Sequence, residues 1–180
     1  MGELSTQVVI IGGGPSGLLL SQLLHVCGIQ SVVLERKTKD YVLGRIRAGV
    51  LERGLLHLMR EAGVADRMER EGFTHDGTLI CYGNQMFRLD FKHHTSHSVM
   101  VYGQTEVTRD LYEAREKSGG EIVFNVEDVE IHDAKTNAPF VTYTKAGTSH
   151  RITCDFVAGC DGFHGISRKT IPQKVRKEYE

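Results

Sequence analysis

Val8-Val9-Ile10-Ile11 is a continuous run of β-branched residues, the pattern of a short strand buried on both faces. After a glycine-rich interval, Leu18, Leu19, Leu20, Leu23 and Leu24 make Pro15 to Val26 apolar nearly all round. That distribution predicts a helix held between two layers, ending at Cys27-Gly28. Ser31-Val32-Val33-Leu34 predicts a second buried strand ending on Glu35. Helical spacing returns from Val50 to Glu61, stopped by Gly63, and again from Ala65 to Glu71, with Glu52, Arg53, Arg60 and Glu61 on a solvated face. Alternation then predicts a hairpin, Thr78 to Tyr82 and Met86 to Phe91, turning at Gly83-Asn84-Gln85.

Val99 to Tyr102 reads as a short strand. Thr105 is placed to cap a helix from Glu106 to Lys117, which Ser118-Gly119-Gly120 ends. Glu121 to Phe124 is a further apolar strand. Val126 to His132, Phe140 to Tyr143 and His150 to Cys154 alternate as an antiparallel meander, with Lys145-Ala146-Gly147-Thr148 as its last turn. Asp155 to Gly159 is an apolar strand running into Asp161-Gly162, after which His164, Ser167 and Arg168 open a short helix. From Lys169 to Glu180 the chain is polar. Strands alternating with helices give an α/β fold with a parallel central sheet.

The junction between the first strand and helix carries the chemistry. Gly12, Gly14 and Gly17 follow the order G-x-G-x-x-G. Gly12 permits a tight turn, Gly14 lets backbone approach a pyrophosphate, and Gly17 lets helix and strand pack closely. Pro15 suits the first helical turn, whose free N–H groups and positive dipole end attract an anion. Glu35, at the end of the second strand, is placed to accept hydrogen bonds from ribose hydroxyls. This context marks a dinucleotide site.

Composition narrows the partners. The 180 residues carry a formal net charge of -1, which gives no general attraction to nucleic acid or an anionic membrane. No signal-peptide pattern or membrane-length apolar run is visible, so a cytoplasmic protein is expected. Cys27, Cys81, Cys154 and Cys160 form no C-x-x-C pair, which disfavours a disulfide oxidoreductase and fits reduced thiols. His93-His94-Thr95-Ser96-His97 lacks metal-ligand spacing and reads as an exposed loop, so no metal is expected. Arg36-Lys37-Thr38-Lys39-Asp40-Tyr41 is either a solvated loop or, lying just past Glu35, a phosphate-binding turn. Arg45 and Arg47, flanked by Gly44 and Gly49, would point the same way in an extended chain and suit planar anion contacts. Gln104 sits at a strand-to-helix junction, as a ligand contact or a turn residue.

Four blocks carry a specific resemblance: Gly12-Gly13-Gly14-Pro15-Ser16-Gly17 with Glu35; Arg45-Ile46-Arg47-Ala48-Gly49-Val50-Leu51-Glu52; Tyr102-Gly103-Gln104-Thr105-Glu106-Val107-Thr108-Arg109-Asp110; and Gly159-Cys160-Asp161-Gly162-Phe163-His164-Gly165-Ile166-Ser167-Arg168. In this order the chain resembles the single-component flavoprotein aromatic hydroxylases. The resemblance implies an FAD/NAD(P)-binding Rossmann-like domain over residues 1–180, with a strand insertion at about 73–101 and the meander at 126–154. It implies FAD on Gly12, Gly14, Ser16, Gly17, Glu35, Arg45, Ile46, Arg47, Ala48, Gly49, Val50 and Gln104. It assigns NADPH to Arg36, Lys37, Tyr41, Arg47, His164 and Arg168, with Asp161 and Gly162 ordering the turn that presents the last two. Arg47 is the residue expected to act in catalysis, positioning flavin and nicotinamide.

The implied reaction is hydroxylation of 4-hydroxybenzoate to 3,4-dihydroxybenzoate with NADPH and O₂, in a homodimer. Family members continue for roughly as much chain again, carrying the substrate domain, which has no counterpart here. Two alternatives stand beside this reading. One is a non-catalytic nucleotide-binding fragment; the other is a sibling hydroxylase acting on another hydroxybenzoate.

Overall fold

The computed structural model describes residues 4–45 and 47–177. Its core is a six-stranded sheet built around β1 (Leu4–Ile11). On one side of β1 lie β2 (Ser31–Glu35) and β8 (Ile122–Phe124), and on the other β11 (Thr148–Gly159), all parallel to it. β10 (Phe140–Lys145) and β9 (Glu127–His132) then extend the sheet antiparallel, giving the order β8-β2-β1-β11-β10-β9.

The pleat sorts the strand residues. Val8, Ile10 and Val33 pack beneath Leu20 and Leu24 of α1 (Pro15–Val26). Val9, Ile11, Val32 and Leu34 point the other way and join Val141, Tyr143, Ile152 and Cys154 of the meander strands in one cluster. β1 and β2 are thus buried on both faces along their unbroken apolar runs, whereas the parallel half of β11 leaves Phe156 exposed. α1 is itself sandwiched: Leu18 and Leu19 face away from the sheet into a cluster with Met59, Met68, Leu111 and Tyr112. Those residues come from α3 (Arg53–Glu61), α4 (Asp66–Glu71) and α6 (Gln104–Lys117).

A small antiparallel sheet places β7 (Val99–Val101) between β3 (Val50–Leu51) and β4 (Phe73–His75). The hairpin β5 (Gly77–Tyr82) and β6 (Gln85–Asp90) projects with most of its residues exposed. Among the described residues there are also two short helices, α2 (Lys39–Leu43) and α5 (Phe91–Thr95), and a 3₁₀ turn at Ser167–Thr170.

Several expectations need correcting. Val50 and Leu51 do not begin a helix; they pair with Val101 and Met100, and the helix starts at Arg53. Thr105 is not a cap, because α6 starts at Gln104 with Gly103 as N-cap and no side-chain cap. The stretches read as separate strands at 150–154 and 155–159 are one strand. Its first half pairs antiparallel with β10 and its second parallel with β1, the two registers overlapping at Ile152 and Thr153. The histidine-rich stretch is exposed as expected, but His93 to Thr95 close the short helix α5, with Asp90 accepting a hydrogen bond from the His93 N–H at 2.9 Å, and Ser96 and His97 follow it. Among the described residues no group of three or more metal-ligating side chains gathers, and no helix is long and apolar enough to cross a membrane.

Candidate functional site

The site grows from the turn between β1 and α1. Gly12 has φ +111°, and a Cβ there would lie 2.4 Å from the Cys160 carbonyl oxygen. A Cβ on Gly17 would lie 2.0 Å from the Gly12 carbonyl oxygen. Both glycines are therefore demanded by the protein's own backbone. Gly14 differs: a Cβ would meet nothing within 4 Å, and its φ of -77° is open to any residue. No packing within this chain requires glycine there, whereas a ligand approaching the backbone would. α1 begins at this point with Pro15 in its first turn and no side chain capping it. Its N–H groups and dipole face an open approach, which fits the pyrophosphate of a dinucleotide.

Glu35 ends β2 with 9% exposure, and its carboxylate anchors the loop. Oε2 accepts the Gly13 N–H at 2.7 Å and Oε1 the Lys37 N–H at 2.9 Å. Each carboxylate oxygen has further acceptor capacity, so a ribose hydroxyl can be added to these bonds.

Beside the loop, Ser16, Asp161, Gly162 and Arg168 share the wall of a cavity of about 570 Å³. The turn that forms it is self-ordered. Asp161 Oδ2 accepts from the Ser167 N–H at 2.9 Å and the Ser167 hydroxyl at 3.1 Å. Gly162 takes φ +76°, and a Cβ on Gly165 would fall 2.0 Å from Asp161 Cγ. Arg168 lies over the Phe163 ring, 4.3 Å from its centroid, and His164 meets the same ring edge-on at 5.0 Å. Cys160 lines the cavity too; burial raises its thiol pKa, and a hydrogen bond with Ser16 works against that rise.

The segment after α2 is stitched to the β7–α6 junction. Gly49 O accepts the Tyr102 N–H at 2.8 Å, Ala48 O accepts the Gln104 N–H at 3.3 Å, and Val50 pairs with Val101. Ala48, Gly49, Val50 and Gln104 are thereby brought together. Arg45 and Arg47 are exposed; Ile46 lies outside the described residues.

The basic stretch past Glu35 is ordered, not a loose loop. Thr38 Oγ1 caps α2 by accepting the Tyr41 N–H at 3.1 Å. Arg45 donates to the Tyr41 hydroxyl at 3.0 Å, while the Arg45 guanidinium and Lys37 ammonium lie 5.8 and 5.4 Å from the Tyr41 ring centroid. The Arg45 hydrogen bond and charge lower the Tyr41 phenol pKa, with Lys37 and Arg36 adding to the same positive field. Arg36, Lys37, Tyr41 and Arg45 thus form one group at the end of β2. His164 and Arg168 form another at the 159–168 turn.

Sequence reading missed the polar network behind the β7–α6 junction. Arg67 donates to Asp110 Oδ1 at 2.7 Å and to Glu106, and Asp110 Oδ2 accepts the Tyr102 hydroxyl at 2.7 Å. It also missed Tyr112, whose hydroxyl donates to Gly13 O at 2.7 Å. No local signal marks either, since the partners lie 43 and 99 residues apart. Nor were Gly159 and Gly165 singled out, although a Cβ on each would fall 2.5 Å from Ser167 Cβ and 2.0 Å from Asp161 Cγ, respectively.

Comparison with known proteins agrees with this geometry. Residues 5–180 match the family described as FAD binding domain. The chain is 47% identical to the p-hydroxybenzoate hydroxylase of Acinetobacter baylyi, covering 100% of this chain and 45% of that protein. It is 31% identical to Monooxygenase 1 of Arabidopsis thaliana, over 96% of this chain and 42% of that protein. The crystal structure of p-nitrophenol 4-monooxygenase from Pseudomonas putida shares the fold, with a TM-score of 0.81 at 22% identity, covering 94% of this chain and 44% of that one. The chain spans less than half the length of these relatives. An uncapped helix end behind an unobstructed glycine, a buried acid closing the second strand, and a family match across nearly every residue agree: this chain belongs to the FAD binding domain family.

Proposed function

We propose that the protein to which this chain belongs hydroxylates 4-hydroxybenzoate to 3,4-dihydroxybenzoate, using FAD, NADPH and O₂. The observation that carries this reading is the 47% identity with p-hydroxybenzoate hydroxylase, which extends over the whole chain. Bound FAD supplies the redox and oxygen chemistry, and this chain supplies its cradle and part of the route for reducing equivalents.

Gly14, Ser16 and Gly17 hold the pyrophosphate by backbone N–H groups at the α1 N-terminus. Gly12, whose own N–H donates to Leu34 O at 2.8 Å, makes the tight turn that presents them, and Glu35 takes the ribose. Arg45 to Val50 and Gln104 line the flavin. The stitching of Gly49 to Tyr102 and of Ala48 to Gln104 supports a joint role, since backbone hydrogen bonds tie the two segments together. Arg36, Lys37 and Tyr41 read the adenosine 2′-phosphate of NADPH. Paired cations around the Tyr41 ring make a positive, planar platform suited to a phosphate beside a base. His164 and Arg168 hold the same coenzyme from the Asp161-Gly162 turn. Arg47, exposed and unencumbered by burial, orients nicotinamide against flavin.

The test is made on the full-length protein. A yellow preparation with an oxidised-flavin spectrum, NADPH oxidation accelerated by 4-hydroxybenzoate, and 3,4-dihydroxybenzoate as product are expected. A colourless protein that fails to take up added FAD overturns the cofactor reading. Stimulation by a different hydroxybenzoate, with none by 4-hydroxybenzoate, overturns the substrate while leaving the reaction class intact.

A further inference from the structure

Tyr112 is fully buried in α6, with its ring tilted against Phe124 at 5.8 Å between centroids. A buried phenol takes a hydrogen-bond partner. Here the partner belongs to the glycine loop, where the hydroxyl donates to Gly13 O at 2.7 Å. The consequence follows from peptide geometry. The Gly13 carbonyl and the Gly14 N–H belong to one planar trans peptide and point in opposite directions. Drawing the carbonyl towards α6 turns the Gly14 N–H away from α6. That N–H meets no protein acceptor among the described residues, and the space beside Gly14 is open. The preceding peptide is held as well, because Glu35 accepts the Gly13 N–H at 2.7 Å. Consecutive peptides of a loop built from the most flexible residue type are thus clamped by side chains from α6 and β2.

We propose that Tyr112 is a positioning residue for the dinucleotide loop: by pinning the Gly13 carbonyl, its hydroxyl aims the Gly14 N–H at the FAD pyrophosphate. The inference rests on the FAD reading above and adds a residue that does not itself touch the cofactor. A loop held in its binding geometry loses less freedom when the ligand arrives, so the hydroxyl acts on affinity as well as on the fold.

The test compares Tyr112→Phe, which removes only the hydroxyl, with Phe124→Leu, which disturbs packing of the same ring and leaves the hydroxyl in place. In the full-length protein, Tyr112→Phe is expected to raise the FAD dissociation constant about 3- to 10-fold, the range of one hydrogen bond. It should also speed amide exchange at Gly13 in the apoprotein while exchange in β1 stays unchanged. Phe124→Leu is expected to lower the melting temperature with FAD affinity held within about twofold. Unchanged affinity in Tyr112→Phe, or an equal loss in Phe124→Leu, overturns the proposal. If the unaltered protein binds no FAD, the cofactor reading fails, and Gly13 exchange alone decides the pinning: faster exchange supports it and unchanged exchange overturns it.

Discussion

Gly14 caps α1 and Gly17 lies in its first turn, three residues on, yet a methyl group on each meets opposite surroundings. At Gly17 it would collide with the Gly12 carbonyl oxygen at 2.0 Å and press on Ile10 Cγ2 at 3.1 Å. Gly17→Ala must push α1 off β1, and we expect a loss of about 1–3 kcal/mol of stability. At Gly14 the methyl enters open space at a permitted φ of -77°. Gly14→Ala is therefore expected to change stability by no more than about 0.5 kcal/mol. It should still weaken FAD binding about tenfold, because the methyl stands where the pyrophosphate approaches and costs roughly one charge-assisted hydrogen bond. Thermal melts and flavin titrations of both variants check the split. A Gly14→Ala protein that binds FAD normally would falsify the assignment of that space to the ligand. The spacing of these glycines was legible in the sequence because Gly17 is a steric solution the fold itself demands and Gly14 stands where a ligand would approach the backbone. Tyr112 was not, since nothing near it in the chain separates a core tyrosine from one that reaches the loop.

At the scale of elements, legibility followed how local the cause was. α1 and β2 fall where apolar runs, Pro15 and Gly28 place them, because each is fixed by its own residues. β1 reaches back to Leu4, beyond its Val8–Ile11 run, because Leu4 to Thr6 pair with Ile152 to Cys154 of β11. The two-residue strand Val50–Leu51 has no such internal cause. Backbone hydrogen bonds to β7 hold it in place, and a helical pattern running on from residue 53 hid it. The Arg67 network is non-local in the same way, and it joins α4 to α6 and, through Tyr102, to the junction that carries Gln104. The hydrogen bond from Arg67 holds the Glu106 carboxyl below its ordinary pKa of 4.5, and Arg109 reinforces the shift. A carboxyl depressed by folding stabilises the protein above its unfolded pKa, and that stability is lost as pH falls through the folded value. Glu106→Gln should cost about 1 kcal/mol at neutral pH. The gap in melting temperature between variant and parent should then close as the pH drops below about 4. Melts across that range check it, and a gap that stays constant with pH would show that the pairing contributes no charge-dependent stability.

Across the whole molecule, apolar side chains are shared unevenly between interior and surface. β1, β2 and the inward faces of the helices bury theirs, whereas the β5–β6 hairpin leaves most of its apolar side chains exposed. Ile80 pairs with Phe87, and Tyr82 and Leu89 share that face of the ribbon, with exposures of 38, 55, 83 and 38%. A contiguous apolar face of this kind is rare on a monomeric surface and is ordinarily covered by something. It is also borne by a two-stranded ribbon, which has open backbone edges and little stability of its own. In the 180-residue chain taken alone, the available cover is another copy. We therefore expect concentration-dependent association by sedimentation or light scattering, accompanied by binding of an apolar dye. Phe87→Lys places a charge at the centre of that face and, at an exposed site, should leave the melting temperature close to that of the parent. It should also shift the population towards monomer and reduce dye binding. Association that persists unchanged in Phe87→Lys would move the contact elsewhere, with exposed Phe156, which pairs with Val8 in the central sheet, the next position to alter.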